Sequence, residues 1–361
     1  MSLYEERLTK DLDRMKNEIT VLGTWVVQAL RDAVHAHLEG NTKLANETIL
    51  GDKRINRKKN QINKLAYAFM AVHLPSAGHL RKVASIMRIV NELERIGDYA
   101  VIIAREALQL PHPPTGQLRE KMEQMARQAE TASEQAMTAF NTNDVELAQK
   151  ARAIASQSKD RAGRAFDDLV LEGEKQEEQI RYLFDMLITL DRLKRVSDRA
   201  KNICEETSFT VTGKTKKRKV YKILFLDPEN NCQSQIAEAV AHRNYPNSGE
   251  YSSAGRSKEA NPAPGLIEFM ETKGLAVSPI TRQVVQPVTD NAAAYDIIVS
   301  LNGPVSDYFP TQPFRTVFLE WDVGQAPNSP AETDEHYIAI YRETTARLRD
   351  LMEMLRGEEA D

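Results

Sequence analysis

Two places in this 361-residue chain hold side chains whose types and spacing could do chemistry. The first is on the segment MRIVNELERIGDYAVIIAREA, residues 87–107, where Asn91, Glu94 and Asp98 fall along one line of a helix turning 100° per residue. Carboxylates four residues apart repel each other by a few tenths of a kcal/mol when exposed, and by more near a core. They need a counter-cation, and oxygen clusters of this kind suit hard metals such as Mg²⁺, Mn²⁺ or iron. An ion pair with Arg105 or Lys194 would answer the same need, and spacing alone favours that pairing over a metal. The second place is the loop of YKILFLDPENNCQSQIAEAVA from Asp227 to Ser234, which reads as strand, loop, then helix. Such a loop aims backbone N–H groups at an anion, and the helix dipole assists.

The elements that must position these residues differ sharply in texture. Residues 1–210 contain few prolines and long runs of helical period, such as Leu8, Leu12, Met15, Ile19 and Leu22. After Val220 short apolar runs (KILFL, YDIIVSL, RTVFLEW) alternate with helical stretches and Gly/Pro loops, the pattern of an α/β module with a mainly parallel sheet. Charge changes at the same point. Residues 221–361 carry 11 Lys and Arg against 21 Asp and Glu, and residues 1–220 carry the remaining 37 against 31. Most of the basic excess sits in Lys214, Lys216, Lys217, Arg218 and Lys219, a run without interleaved aromatics that reads as a solvated linker over 214–219 rather than a nucleic-acid-binding element. The expected domains are a helical one over 1–213 and an α/β one over 220–361.

The helical half repeats itself. Residues 87–107 align with MLITLDRLKRVSDRAKNICEE at 186–206, and NTKLANETI at 41–49 resembles NTNDVELAQKA at 141–151. The two repeats cover about 1–110 and 115–213. They predict three helices each, near 3–39, 41–73 and 78–109, then 116–141, 143–172 and 175–209, with antiparallel neighbours. In the second copy the line of Glu94 and Asp98 holds Asp191, Lys194 and Asp198.

NELERIGDYA and RVSDRAKNICEE, each closing a three-helix repeat, and the ending NICEETSFTVTG resemble the signature helices of the PhoU family, cytoplasmic regulators of high-affinity phosphate uptake and its signalling. The resemblance spans about 210 residues. It implies a six-helix bundle that forms a homodimer, binds multinuclear metal (a divalent or iron-type ion) at Glu/Asp-x-x-x-Asp motifs, and contacts the phosphate-transporter ATPase or a sensor histidine kinase. Residue by residue it points to Glu94 and Asp98 in the first repeat and Asp198 in the second. Lys194 stands where the family's second acid would be, so the second site is expected to be weakened or replaced by a Lys–Asp pair.

The α/β half resembles the low-molecular-weight tyrosine phosphatase and arsenate reductase family, whose loop runs Cys, five residues, Arg, Ser, then helix. SSAG at 252–255, NPAP at 261–264, YDIIVSL at 295–301 and EWDVGQAP at 320–327 extend the match over about 135 residues. The resemblance places Asp227 at the nucleophilic cysteine, Gln233 at the phosphate-clamping arginine, and Ala326, before Pro327, at the general-acid aspartate. Thiolate, guanidinium and acid each serve a separate step, and all three are replaced. Cys232 is no substitute, because Glu238 rather than arginine stands six residues on; Asp227 is followed two residues later by Glu229, not the second aspartate of an Asp-x-Asp nucleophile loop. The sequence therefore predicts a catalytically inactive, cofactor-free α/β domain with a degenerate phosphate loop of Asp227, Asn230, Asn231, Cys232, Gln233 and Ser234, the Asp227 carboxylate standing in for an anion. Active phosphatase or arsenate reductase, and metal sensor or storage protein, are the alternatives.

The remaining features narrow the setting. No apolar run approaches the roughly 20 residues that span a bilayer, and the charged start lacks a secretory signal's apolar stretch. Cys204 and Cys232 cannot build a disulfide framework or a four-thiolate zinc site, and the seven histidines show no ligand spacing. A cytoplasmic protein without membrane insertion is expected.

Overall fold

The computed structural model describes residues 3–73, 75–174, 180–214, 219–256, 262–276, 292–327 and 333–357. The chain divides into two compact units, 1–216 and 217–361. Much of the basic run, from 215 to 218, falls outside the described residues.

Seven helices are described in the first unit: α1 (Leu3–Glu39), α2 (Thr42–Val72), α3 (Ala77–Ala107), α4 (Gly116–Thr142), α5 (Val145–Ser156), α6 (Ser158–Glu174) and α7 (Ile180–Thr212). Equivalent starts are capped alike, since Asn41 Oδ1 accepts the N–H of Leu44 and Asp144 Oδ1 that of Leu147. Asn143, left-handed at φ 54°, ends α4 and turns the chain into α5. Core contacts run mainly between α1 and α3, α3 and α7, and α4 and α7. The apolar stripe read from the sequence is buried except for Leu12, which is half-buried: Met15, Ile19 and Leu22 of α1, with Leu30, meet Ile89, Leu93 and Ile96 of α3 in one core with Met186, Leu193 and Val196 of α7. Gly97 lets α2 and α3 approach closely, because a Cβ there would lie 3.3 Å from the Ile55 side chain. Polar ties add register between the repeats. Glu92 of α3 accepts from Arg199 and Asn202 of α7 at 3.2 and 3.1 Å, and Glu206 of α7 accepts from Ser85 and Arg88 of α3 at 3.0 and 3.1 Å.

One expected helix is two. The periodic stretch 143–172 breaks at Gln157, between α5 and α6. The Gln128 amide of α4 donates to the Ile154 carbonyl, Gln157 N–H shares that same carbonyl at 3.2 Å, and the Ser158 hydroxyl donates to Ala155 O at 2.8 Å. A side chain entering the ladder of backbone bonds is a recognised cause of a helix break. Residues 175–179, where the last helix was expected to begin, lie outside the described residues.

The second unit is a four-stranded, all-parallel sheet in the order β2-β1-β3-β4, built from β1 (Tyr221–Leu226), β2 (Gly249–Ala254), β3 (Ile297–Ser300) and β4 (Val317–Glu320). Alternate residues of β1 feed the two faces. Ile223 and Phe225 pack with Ile236 and Val240 of α8 (Gln233–Asn244) and with Tyr337 and Leu348 of α10 (Thr333–Arg356). Leu224 and Leu226 face Val305, Tyr308 and Phe309. A short α9 (Leu266–Thr272) flanks the first face. Strand β1 is central, so its C-terminal end places residue 227 at the middle of the sheet's carboxyl edge, where open α/β sheets carry their sites.

Candidate functional site

Asp227 leaves β1 fully buried and accepts hydrogen bonds from its own loop. Oδ1 accepts the N–H groups of Glu229 at 3.1 Å and Asn231 at 3.3 Å; Oδ2 accepts those of Cys232 at 3.3 Å and Ser234 at 3.0 Å. The Ser234 hydroxyl lies 2.8 Å from both Asp227 Oδ2 and Asn230 Oδ1. Four convergent amides around two oxygens form the cradle that a strand–loop–helix offers an oxyanion. Here the occupant is covalently part of the chain.

The surroundings fix the loop in this form. Asn230 takes a left-handed φ of 51° and its side-chain oxygen accepts from Gln235 Nε2 at 3.2 Å. Gly255, just past β2, admits no side chain, since a Cβ would sit 2.4 Å from Asn230 N. Pro228 O accepts Arg256 N–H and Asn231 O accepts Ala263 N–H, tying the loop to the segments after β2. Cys232 is completely buried, and burial first, then the Asp227 charge, raises its thiol pKa, so it carries no reactive thiolate. Gln233 is also buried and donates through Nε2 to Gly324 O at 3.0 Å. That bond joins the loop to the late segment bearing Ala326. Asp227, Asn230, Cys232, Gln233 and Ser234 are thus brought together and withdrawn from solvent, while Glu229 points outward.

In the helical unit, Glu94 and Asp98 are neighbours on α3, as the spacing implied, but a cation from the protein is already present. Lys59 Nζ of α2 lies 2.7 Å from Glu94 Oε1. Asp98 has a raised pKa, from partial burial first and then from the charges of Glu94 and Asp52. Asp52 of α2, which the sequence reading missed, receives Asn56 Nδ2 at 2.6 Å on one oxygen, while its other oxygen is buried without a partner. Asp198 is exposed on α7 and does not join this group. Among the described residues no three His, Cys, Asp or Glu side chains converge as a metal would require, and no ion pair joins Lys194 to Asp198. Glu94 and Asp98 thus sit together on α3 and Asp198 apart on α7, as two separate repeats imply. As arranged, the donors do not fit a bound metal: the Lys59 ammonium holds the place a cation would take.

A second acid pair went unread in the sequence. Asp185 of α7 is buried beside Glu106 of α3, and Glu106 is pushed up to about 7, chiefly by burial and then by its hydrogen bond to Asp185 and the charge of Asp185. The two carboxyls lie 79 residues apart in sequence, on different helices, and leave no local spacing signal.

The family profile described as "PhoU domain" matches residues 19–107 and again 122–207. That described as "Low molecular weight phosphotyrosine protein phosphatase" matches 222–360. The chain joins a PhoU domain to a low-molecular-weight phosphatase-like domain. The helical half is 29% identical over 214 residues to a phosphate-specific transport system accessory protein PhoU homolog of Pseudomonas putida, covering 58% of this chain and 82% of that one. A homologue from Thermotoga maritima is 28% identical over 212 residues, covering 58% and 90%. The solved structure of PhoU from Pseudomonas aeruginosa matches at TM-score 0.55 and 27% identity, covering 57% of this chain and 99% of that one. Among the described residues no helix is long and apolar enough to cross a membrane.

Proposed function

We propose that this protein is a cytoplasmic accessory regulator of phosphate transport and phosphate signalling, acting through protein contacts, with a phosphatase-like domain that no longer catalyses. The likeness of the PhoU unit to accessory proteins of phosphate-specific transport supports the first half of that reading. Its partners are a transporter ATPase or a sensor histidine kinase, and the working assembly is a homodimer. The observation that carries the second half is the Asp227 carboxylate lodged among four loop amides. An incoming phosphate would meet a buried negative charge where a nucleophile and clamp are needed, and repulsion between like charges at this range disfavours entry. Cys232 is buried and its thiol pKa raised, while the Gln233 side chain is spent on Gly324.

Two measurements test the proposal. Tagged full-length chain is recovered from its own cells under phosphate-rich and phosphate-starved growth, with partners identified by mass spectrometry. Recovery of a phosphate-transporter ATPase or its sensor kinase, varying with phosphate, is expected; an unrelated partner set overturns the regulatory reading. Turnover of p-nitrophenyl phosphate is compared between native chain and Asp227→Ala. Background rates in both are expected, and Asp227-dependent turnover would establish an active phosphatase instead.

A further inference from the structure

Where α5 breaks into α6, the PhoU unit opens a cleft against α4. Two adjoining cavities, about 200 and about 270 Å³, share Gln124 and Arg161 as a common wall. Their charged lining is entirely basic: Lys121 and Arg127 of α4, Arg161 and Arg164 of α6. Lys121 is paired with Asp168, and Arg127 lies 3.4 Å from Glu123. Arg161 and Arg164 make no ion pair among the described residues, so the cleft keeps a net positive charge of two guanidinium groups. Guanidinium forks of this kind bind oxyanions bidentately.

One group in the cleft asks for something a bare anion cannot give. Gln128 lines the larger of the two cavities, with Arg161, next to the one that Arg164 lines, and is only 7% exposed. Its amide nitrogen is committed to the Ile154 carbonyl at the helix break, and its Oε1 is buried with no hydrogen-bond partner. A buried acceptor left unmatched costs about 1–3 kcal/mol, so a ligand bringing an O–H to it is favoured. The ligand that satisfies both demands has anionic oxygens for the two arginines and a hydroxyl for Gln128.

We propose that the cleft between α4 and the α5–α6 break is a binding site for the protonated phosphate anion. Hydrogen phosphate carries both kinds of group near neutral pH, whereas sulfate of similar size and charge has no proton to donate. Selection of phosphate over sulfate follows from Gln128, and attraction from Arg161 and Arg164. Because Gln128 also holds the carbonyl at the helix break, an occupied cleft would stiffen the α5–α6 junction. This assignment is independent of the anion cradle in the phosphatase-like unit and of which protein partner the chain contacts.

The test is isothermal titration of the full-length chain, near neutral pH and at constant ionic strength, with inorganic phosphate, sulfate and AMP in separate arms. Phosphate is expected to bind at one site per chain, at least tenfold tighter than sulfate or AMP. Arg161→Gln/Arg164→Gln, on one half-buried and one exposed side chain, should weaken phosphate at least tenfold without changing the ligand-free melting temperature. The charge-matched Lys214→Gln/Lys219→Gln should leave binding unchanged. Undetectable phosphate binding, equal affinity for sulfate, or phosphate binding untouched by the arginine substitutions overturns the site. AMP binding as tightly as phosphate would assign the cleft to phosphomonoesters and overturn the free-phosphate assignment.

Discussion

Replacing the Asp227 carboxylate by an amide is the most direct perturbation of the phosphatase-like unit. In Asp227→Asn one side-chain oxygen becomes an NH₂ group, which faces N–H donors instead of accepting from them. If it replaces Oδ2, the amides of Cys232 and Ser234 lose their acceptor, while the Ser234 hydroxyl can turn to Asn230 Oδ1, also 2.8 Å away. Hydrogen bonds to a charged group are each worth about 1.5–3 kcal/mol, so losing two, one of them long at 3.3 Å, costs about 3–5 kcal/mol. For a unit of this size, 1 kcal/mol moves the melting temperature by roughly 2–4 °C, which puts the fall on the order of 10 °C. Calorimetry of the full chain reads the α/β transition, and hydrogen exchange reads the loop itself: the amides of residues 229, 231, 232 and 234 should lose protection first. Asp227→Gly carries the reasoning one step further by emptying the cradle, and sulfate at millimolar concentration should then restore part of the lost stability. An unchanged or raised melting temperature in Asp227→Asn, with protection of those four amides intact, would falsify the view that the carboxylate substitutes for a bound anion.

Three further outcomes are expected. Gly255→Ala should destabilise the same loop without touching its polar groups, because the added Cβ would lie 2.4 Å from Asn230 N; calorimetry of the variant checks it. Glu106 has a folded pKa near 7, above the ordinary carboxylate value, so its contribution to stability is complete below about pH 4.5 and is lost as pH rises through 7. The helical transition should therefore fall in temperature between pH 5 and pH 8, and Glu106→Gln should flatten that part of the profile. Lys59→Gln removes the built-in cation beside Glu94 and Asp98; Mn²⁺, titrated by calorimetry, should bind this variant more tightly than the native chain, whereas equal affinity would show that Lys59 does not hold the cation's place.

The boundary between the two units, the repeat of the helical half and the parallel α/β character of the second half were legible because each is written locally. A stripe of period 3.6 must bury one face wherever the chain goes, and short apolar runs between Gly/Pro loops form strands for the same reason. The loop at Asp227 was legible too: a strand followed by polar residues and a helix aims amides inward whatever lies around it, and one buried acid among them can satisfy those amides itself. The sequence could not show which neighbour would reach into a given turn. Gln128 lies 26 residues before Ile154, yet its amide meets that carbonyl and divides a helix whose periodicity runs unbroken. Lys59 and Asp52 reach Glu94 and Asp98 only because α2 packs on α3, and Asp198, equivalent by repeat, faces solvent because its own neighbours differ. Local period and composition set each element; the electrostatic state of a carboxylate depends on charges and dielectric within a few ångströms, and only packing decides which residues occupy that volume.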